Sequence, residues 1–118
     1  MPRVFVDGFN VINAVLLRGQ DRDGWWRETH RAALVAWLRS GELKCTVVFD
    51  GEDERVRTEA GVEVRYTPDA DAWIVEHTSA DDVVVTRDRR LADRLRSRGI
   101  RSRSPRWLED ELGPFTSA

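Results

Sequence analysis

The chain has 118 residues, 34% of them charged, and a formal net charge of −2, which argues against a general nucleic-acid coat. The length favours a single domain over 1–118, with a core at about 3–112 and a frayed C-terminal tail. The lone cysteine, Cys45, excludes an internal disulfide, and no apolar stretch is long enough for a signal peptide or a membrane span. A cytoplasmic protein is therefore expected.

The first half of the chain alternates short apolar runs with segments that have helical periodicity. Its predicted elements are a strand at Arg3–Val6, a helix at 9–18, a polar loop at 19–24, a helix at Trp25–Arg39 and a strand at Cys45–Phe49. The two strands are continuously apolar, which is typical of central strands in a parallel sheet.

The second half continues this alternation after a charged segment, Glu52–Gly61, for which we predict no regular structure. Val62–Tyr66 alternates apolar and charged residues, as a half-exposed edge strand does. The remaining predicted elements are a helix at Asp69–Ser79, an apolar strand at Val83–Thr86, a helix at Arg89–Arg98, a short strand at Gly99–Arg103 and a helix from Ser104-Pro105. Strands alternating with helices predict an α/β fold with a mainly parallel sheet.

Three apolar strands end at or near an aspartate, namely Asp7, Asp50 and Asp88. The carboxyl ends of parallel strands share one edge of a sheet, where α/β proteins bind their ligands. Asp71, near the start of the helix before the fourth strand, is expected to join them. Converging carboxylates repel one another unless a cation compensates, and an oxygen-only site suits Mg²⁺ or Mn²⁺. Such an ion can activate a water for phosphodiester hydrolysis.

Each of these acids also has an ordinary structural role open to it. Asp7 and Asp50 each precede a glycine, as turn residues do. Asp69 and Asp88 stand where helix N-caps are expected, and Asp71 is favourable near a helix N-terminus for the dipole alone. Their coincidence at three strand ends and one helix start favours a shared site.

Two polar residues accompany the acids. Asn10 lies one helical turn after Asp7, where it would orient a water or a phosphate, or cap the helix. Thr86 precedes Asp88 by two residues, so both side chains point to the same side if the strand continues. Its hydroxyl would support a carboxylate or contact phosphate, and a plain strand-end threonine is an equal alternative.

Arginines are concentrated between residues 87 and 106, where nine of them stand against two aspartates. This segment carries a net charge of +7 and the rest of the chain −9, which predicts separate basic and acidic surfaces. The planar guanidinium group of arginine can donate two hydrogen bonds to one phosphate. The excess of arginine over the single lysine, Lys44, is equally consistent with genome composition.

The opening stretch Val6-Asp7-Gly8-Phe9-Asn10-Val11-Ile12 resembles the first motif of NYN domains, particularly the YacP-type branch. Further motifs of that branch resemble later segments in the same order. They are Val48-Phe49-Asp50-Gly51, Gly61-Val62-Glu63-Val64, Asp69-Ala70-Asp71-Ala72-Trp73-Ile74 and Val85-Thr86-Arg87-Asp88-Arg89. Arg87 stands where this branch has a small hydroxyl residue, and the chain is shorter than its YacP-type relatives.

This resemblance implies a three-layer α/β/α PIN-like fold with a mainly parallel sheet of about four to five strands. It implies a ribonuclease that hydrolyses single-stranded RNA through a water activated by Mg²⁺ or Mn²⁺. Asp7, Asp71 and Asp88 would be the catalytic and metal-binding carboxylates, with Asn10 beside them and Asp50 as a further metal-site acid. The substrate-binding candidates are Thr86, Arg87, Arg89 and Arg90.

Two other functions are compatible with the same sequence. One is an RNA-binding NYN/PIN-like module without turnover, which would bind RNA in a salt-dependent way and cleave none. The other is a toxin-type PIN nuclease with a cognate antitoxin, which toxicity on expression would indicate. RNA is the expected partner and no membrane is expected, while a homodimer and an unidentified protein partner remain open.

Overall fold

The computed structural model describes residues 2–18, 24 and 27–115. Within them the chain alternates strands and helices almost throughout. The elements are β1 (Val4–Asp7), α1 (Gly8–Val11), α2 (Glu28–Leu38), β2 (Cys45–Asp50), β3 (Arg55–Glu59), β4 (Val62–Thr67), α3 (Ala70–His77), β5 (Val83–Val85), α4 (Arg89–Ser97), β6 (Arg101–Arg103) and α5 (Pro105–Leu112). None of the helices described is both long and apolar enough to cross a membrane.

The strands form one sheet of six in the order β3-β4-β2-β1-β5-β6. Every neighbouring pair is parallel except β3 and β4, so the predicted mainly parallel sheet is confirmed. The predicted number of strands, four to five, is too low, since the sheet has six. The three apolar strands predicted to be central, β1, β2 and β5, do lie inside the sheet.

The outer edge of the sheet differs from the prediction in two ways. Residues 52–61 were expected to be irregular, but β3 lies within them and pairs antiparallel with β4. Ala60 and Gly61 form the two-residue turn of this hairpin, with φ of 49° and 85°. Because β3 covers β4, the prediction that Val62–Tyr66 is an edge strand is also wrong.

Helices cover both faces of the sheet, which confirms the predicted three-layer fold. Side chains along β1 alternate, so Val4 and Val6 belong to one apolar cluster and Phe5 to the other. The first cluster packs against α1, α2 and α5, and the second against α3 and α4. Every central strand is therefore buried on both faces, as its continuous apolar sequence indicates.

The predicted helices are confirmed, with differences at their ends. After α1 the predicted 9–18 helix continues as a π-helical turn over Ile12–Leu16. The predicted loop at 19–24 and the first turn of the Trp25–Arg39 helix lie largely outside the described residues. Ser104 occupies the N-cap position of α5, but its hydroxyl makes no capping hydrogen bond. Beyond α5 the Phe115 ring packs edge-on against Trp37, and residues 116–118 lie outside the described residues.

Gly8 marks the point where β1 passes directly into α1, so Asp7 and Gly8 do not form a turn. A β-carbon on Gly8 would lie 2.4 Å from the Phe49 ring and 2.9 Å from the carbonyl oxygen of Val48. Glycine is needed here for this close approach of helix and strand, and it keeps Asp7 at the edge of the sheet.

Replacing Gly8 by alanine is expected to destabilise the fold by about 1–3 kcal/mol, because the added methyl overpacks the contact with Phe49. Urea denaturation measures this loss. Gly51→Ala is the matched control, since its nearest atoms, on Tyr66, lie 3.3 Å away. Equal stabilities of the two variants would contradict this interpretation of Gly8.

Candidate active site

A cleft of about 280 Å³ opens at the carboxyl ends of the parallel strands. Its lining contains all four predicted acids and Asn10, together with two residues that the sequence did not single out. The lining residues are Asp7, Phe9, Asn10, Asn13, Asp50, Asp71 and Asp88. Asn13 follows Asn10 by three residues, and this helical spacing was the signal that could have indicated it. We call this cleft the acidic cleft.

Asp7 is the most buried acid in the acidic cleft, with only 7% of its surface exposed. Its Oδ2 accepts a hydrogen bond of 2.8 Å from the Thr86 hydroxyl, and its side chain caps no helix. Burial raises its pKa to about 7, the negative charges of the other three cleft acids add to the rise, and the Thr86 hydrogen bond opposes it. The buried negative charge of Asp7 is thus poorly compensated within the protein.

Asp88 both caps a helix and lines the acidic cleft. Its Oδ1 accepts hydrogen bonds from the backbone N–H groups of Arg90, at 2.9 Å, and Leu91, at 3.4 Å. The predicted N-cap role is therefore present, and it uses one carboxylate oxygen. Within the described residues Oδ2 has no hydrogen-bond partner, so it remains available to a ligand in the cleft.

Asp69 and Asp71 have different roles although they are two residues apart. The Asp69 side chain accepts a 3.0 Å hydrogen bond from the N–H of Ala72 and caps α3, as its position predicts. Asp71 lies in the first turn of the same helix and lines the cleft. Burial raises the pKa of Asp71, and the charges of Asp88 and Asp50 raise it further. Only Asp71 therefore belongs to the acidic cleft.

Asp50 is exposed and ties two elements together at the rim of the cleft. Its Oδ1 accepts a 3.0 Å hydrogen bond from the N–H of Ala70, which joins the end of β2 to the start of α3. Asp50 thus has a structural role besides its place in the lining.

Asn10 and Thr86 hold the loop after β5 against the cleft. The Asn10 Oδ1 accepts a 2.6 Å hydrogen bond from the N–H of Arg87, so the amide connects α1 to that loop. Thr86 is buried, donates to Asp7 and accepts a 3.1 Å hydrogen bond from the N–H of Asp88. Of its predicted alternatives, support of a carboxylate is the one that the structure contains.

The predicted substrate-binding arginines, Arg87, Arg89 and Arg90, are not among the described residues that line the acidic cleft. Arg87 follows Thr86 and borders a neighbouring cavity, while Arg89 and Arg90 lie exposed in the first turn of α4. All nine arginines between residues 87 and 106 are exposed. The basic segment predicted from the sequence is therefore solvated, and its first three arginines, Arg87, Arg89 and Arg90, flank Asp88 of the acidic cleft in the chain.

Replacing Thr86 by valine is expected to destabilise the protein by about 1–3 kcal/mol and to raise the pKa of Asp7 further, because two buried hydrogen-bonding groups lose their partner. Thr86→Ser keeps the hydroxyl and serves as the control. Urea denaturation measures stability, and an NMR titration of the Asp7 carboxyl measures its pKa. An Asp7 that titrates at the same pH in both variants would contradict the proposed support by Thr86.

The chemistry of the acidic cleft fits a hard divalent cation, because carboxylate and amide oxygens dominate its lining. Within the described part of the chain, no three histidine, cysteine or acidic side chains are already arranged as a cage for a metal ion. Mg²⁺ does not require such a cage, since it keeps several waters and commonly binds through one or two carboxylates. The buried, poorly compensated charge of Asp7 favours such an ion.

The solved structures that resemble this fold include two of one bacterial protein. One is Rae1 (YacP) from Bacillus subtilis, with a TM-score of 0.70 and 25% sequence identity over 95% of this chain and 74% of that chain. A mutant of the same Bacillus subtilis protein gives a TM-score of 0.73 at 25% identity, over 95% of this chain and 75% of that chain. No curated protein matches the chain significantly.

The family comparison covers almost the same extent. The model of the YacP-like NYN domain matches residues 4–117, which include every element described and all four acids of the cleft. The resemblance of the short sequence motifs is confirmed by both the family match and the fold. The chain therefore belongs to the YacP-like NYN domain family.

Proposed function

We propose that this protein is a metal-dependent ribonuclease that hydrolyses the phosphodiester bonds of single-stranded RNA in the acidic cleft. Its family is of a nuclease type that acts on RNA. The observation that carries the proposal is the meeting of four carboxylates in one cleft, with Asp7 buried among them. Such an arrangement is destabilising unless a cation binds, so it favours a metal site over an incidental cluster of surface acids.

Asp7, Asp71 and Asp88 are the side chains that would hold Mg²⁺ or Mn²⁺, with Asp50 as a further acid at the rim. When bound, the ion would lower the pKa of a coordinated water and stabilise negative charge on a phosphoryl oxygen. The charge of the ion also lowers the pKa of Asp7, since an opposite charge nearby favours the ionised carboxylate.

The other residues of the cleft position the reacting groups. Thr86 fixes the Asp7 carboxylate through its 2.8 Å hydrogen bond, which limits the rotation of that side chain. The N–H of Arg87 fixes the Asn10 amide through the 2.6 Å bond, so the Asn10 Nδ2 is left to donate to a phosphate oxygen or a water. Preorganised groups of this kind reduce the entropic part of the barrier.

The arginines between residues 87 and 106 supply attraction for the RNA backbone. All nine are exposed, and Arg89 and Arg90 begin the helix that Asp88 caps. Phosphate contacts of exposed arginines release counterions, so RNA affinity is expected to fall steeply as salt is raised. This positive surface also offsets the repulsion between RNA and the acidic cleft.

A cleavage assay tests this proposal. Labelled single-stranded RNA is incubated with the purified protein in Mn²⁺, in Mg²⁺ and in excess chelator, and duplex RNA of the same sequence is the control. We expect cleavage of the single strand only when the metal is present. Salt-dependent binding without cleavage in either metal would overturn the proposal in favour of an RNA-binding module.

A further inference from the structure

A second cavity, of about 400 Å³, opens beside the acidic cleft. Its lining residues are Asn10, Asn13, Ala14, Arg18 and Arg87. Asn10 and Asn13 also line the acidic cleft, so the two cavities adjoin at these two side chains. The acidic cleft contains four carboxylates, whereas the described lining of this neighbouring cavity, which we call the arginine cavity, contains two arginines and no acid.

Arg18 borders the arginine cavity from an unusual backbone conformation. The helix that begins at Gly8 changes to a π-helical turn over Ile12–Leu16, and the N–H of Leu17 donates to Ile12 at 3.0 Å. Arg18 follows with a φ of 49°, a backbone angle that residues other than glycine, asparagine and aspartate rarely adopt. π-Helical turns and strained residues of this kind are concentrated at functional sites.

Among the described residues, neither arginine of the arginine cavity has an ion-pair partner. Several other arginines pair with an acid, as Arg3 does with Asp82 at 3.0 Å and Arg39 with Glu59 at 3.0 Å. Arg18 and Arg87 form no ion pair or ring contact in the described ranges of the chain. Two arginines without ion-pair partners beside one cavity are suited to a phosphate, because a guanidinium can donate two parallel hydrogen bonds to its oxygens.

We infer that the arginine cavity binds the nucleotide next to the scissile phosphate of single-stranded RNA, with Arg18 and Arg87 on the neighbouring phosphate. This inference rests on the proposed function. An RNA strand that places one phosphate in the acidic cleft carries further negative charges on either side, and the carboxylates repel them. The positive charges of Arg18 and Arg87 in the adjoining cavity offset that repulsion where the RNA continues beyond the acidic cleft.

Asn13 extends this recognition to the sugar or the base. Its Nδ2 donates a 3.1 Å hydrogen bond to the carbonyl oxygen of Phe9, which fixes the amide. The side-chain oxygen of Asn13 is then the group left to accept a hydrogen bond, and a ribose hydroxyl or a base amino group supplies the donor. The subsite thus combines phosphate binding by Arg18 with an acceptor at Asn13.

Arg18→Gly tests the subsite without endangering the fold, because glycine adopts a positive φ more readily than arginine. Binding of fluorescent single-stranded RNA is measured at several salt concentrations, with Asp7→Asn as the common background so that the RNA stays intact. We expect Arg18→Gly to weaken binding by about tenfold, the effect of losing a charge-assisted contact. The slope of log Kd against log salt should fall by about 0.7, which corresponds to one phosphate contact on a single strand.

Lys44→Ala is the matched control, since this exposed lysine directly precedes β2, at the amino end of a strand whose carboxyl end reaches the acidic cleft. It removes the same charge, and we expect it to weaken binding less than about twofold, because exposed charges beyond a Debye length are largely screened. Equal effects of Arg18→Gly and Lys44→Ala would overturn the subsite.

The two proposals fail in distinguishable ways. If the wild-type protein cleaves RNA and Arg18→Gly binds RNA normally, the subsite is wrong and the ribonuclease stands. If Arg18→Gly weakens binding but the wild-type protein never cleaves, the ribonuclease is wrong and the cavity is an RNA-binding site alone. A melting temperature of Arg18→Gly at or above that of the wild type shows that the loss of binding is not a loss of fold.

Discussion

Asp7→Asn is expected to reduce RNA cleavage at least about a thousandfold, because the loss of several kcal/mol of charge stabilisation at a metal site lowers the rate by that order. Asparagine has nearly the shape of aspartate and can still accept the hydrogen bond from Thr86, so the architecture of the cleft should survive. The measurement is the rate of single-stranded RNA cleavage in saturating Mn²⁺. Cleavage at the wild-type rate would exclude Asp7 from the mechanism.

The same substitution is expected to stabilise the metal-free protein above pH 7. The pKa of Asp7 is raised from 3.8 to about 7 in the folded state, so the folded protein retains a proton that the unfolded chain has released between these pH values. Its contribution to stability is therefore present below about pH 4, declines as the pH rises to about 7, and is lost above that. Asparagine avoids this loss.

Urea denaturation of wild type and Asp7→Asn at pH 4 and pH 8, in metal-free buffer, measures this linkage. The variant should be more stable at pH 8, by at most about 4 kcal/mol for a shift of this size, and the difference should disappear near pH 4. Added Mn²⁺ should stabilise the wild type at pH 8 and leave the variant almost unchanged. A stability difference that is independent of pH would contradict the burial of an ionisable Asp7.

The second large effect is expected at Asp71, and Asp69 provides its control. Asp71→Asn should lower the cleavage rate about a hundredfold or more, as the loss of about 3 kcal/mol of transition-state stabilisation does. Its stability should be unchanged or higher at neutral pH, because burial and neighbouring acids raise the pKa of Asp71 and the substitution removes that charge.

Asp69→Ala removes the N-cap of the same helix two residues away. It should cost about 1 kcal/mol of stability and leave the cleavage rate within about threefold of the wild type, since Asp69 caps α3 and does not line the cleft. Cleavage assays and urea denaturation of both variants separate the two roles. If Asp69→Ala abolishes RNA cleavage and Asp71→Asn does not, the assignment of the cleft acids is wrong.

Strand-end positions made the acidic cleft predictable. Asp7 and Asp50 end continuously apolar strands, and parallel strands bring such ends to one edge of the sheet. The sequence also left open whether Asp69 and Asp88 are helix caps, and both of them are. One aspartate can serve both as a helix cap and in a site. The capping hydrogen bonds of Asp88 use only its Oδ1, so its Oδ2 remains available to a ligand.

Other features were beyond a reading of sequence patterns. Strand β3 has no apolar face, and Val56 within it is 55% exposed, so its structure depends on pairing with β4 instead of burial. The only local sequence feature that indicates this hairpin is Ala60-Gly61, which predicts a two-residue turn less strongly than Asn-Gly does. The arginine cavity was equally hidden, because the π-helical turn that precedes Arg18 leaves no trace in the apolar periodicity.

The claim that the acidic cleft is a catalytic metal site has one direct test. Crystals of the wild-type protein are soaked in Mn²⁺ and the anomalous difference density is recorded, with Asp7→Asn crystals treated identically as the control. We predict a peak in the cleft bound by Asp7 together with Asp71 or Asp88, and its absence from the variant. An empty cleft in the wild type, or a peak that persists in Asp7→Asn, would contradict the claim.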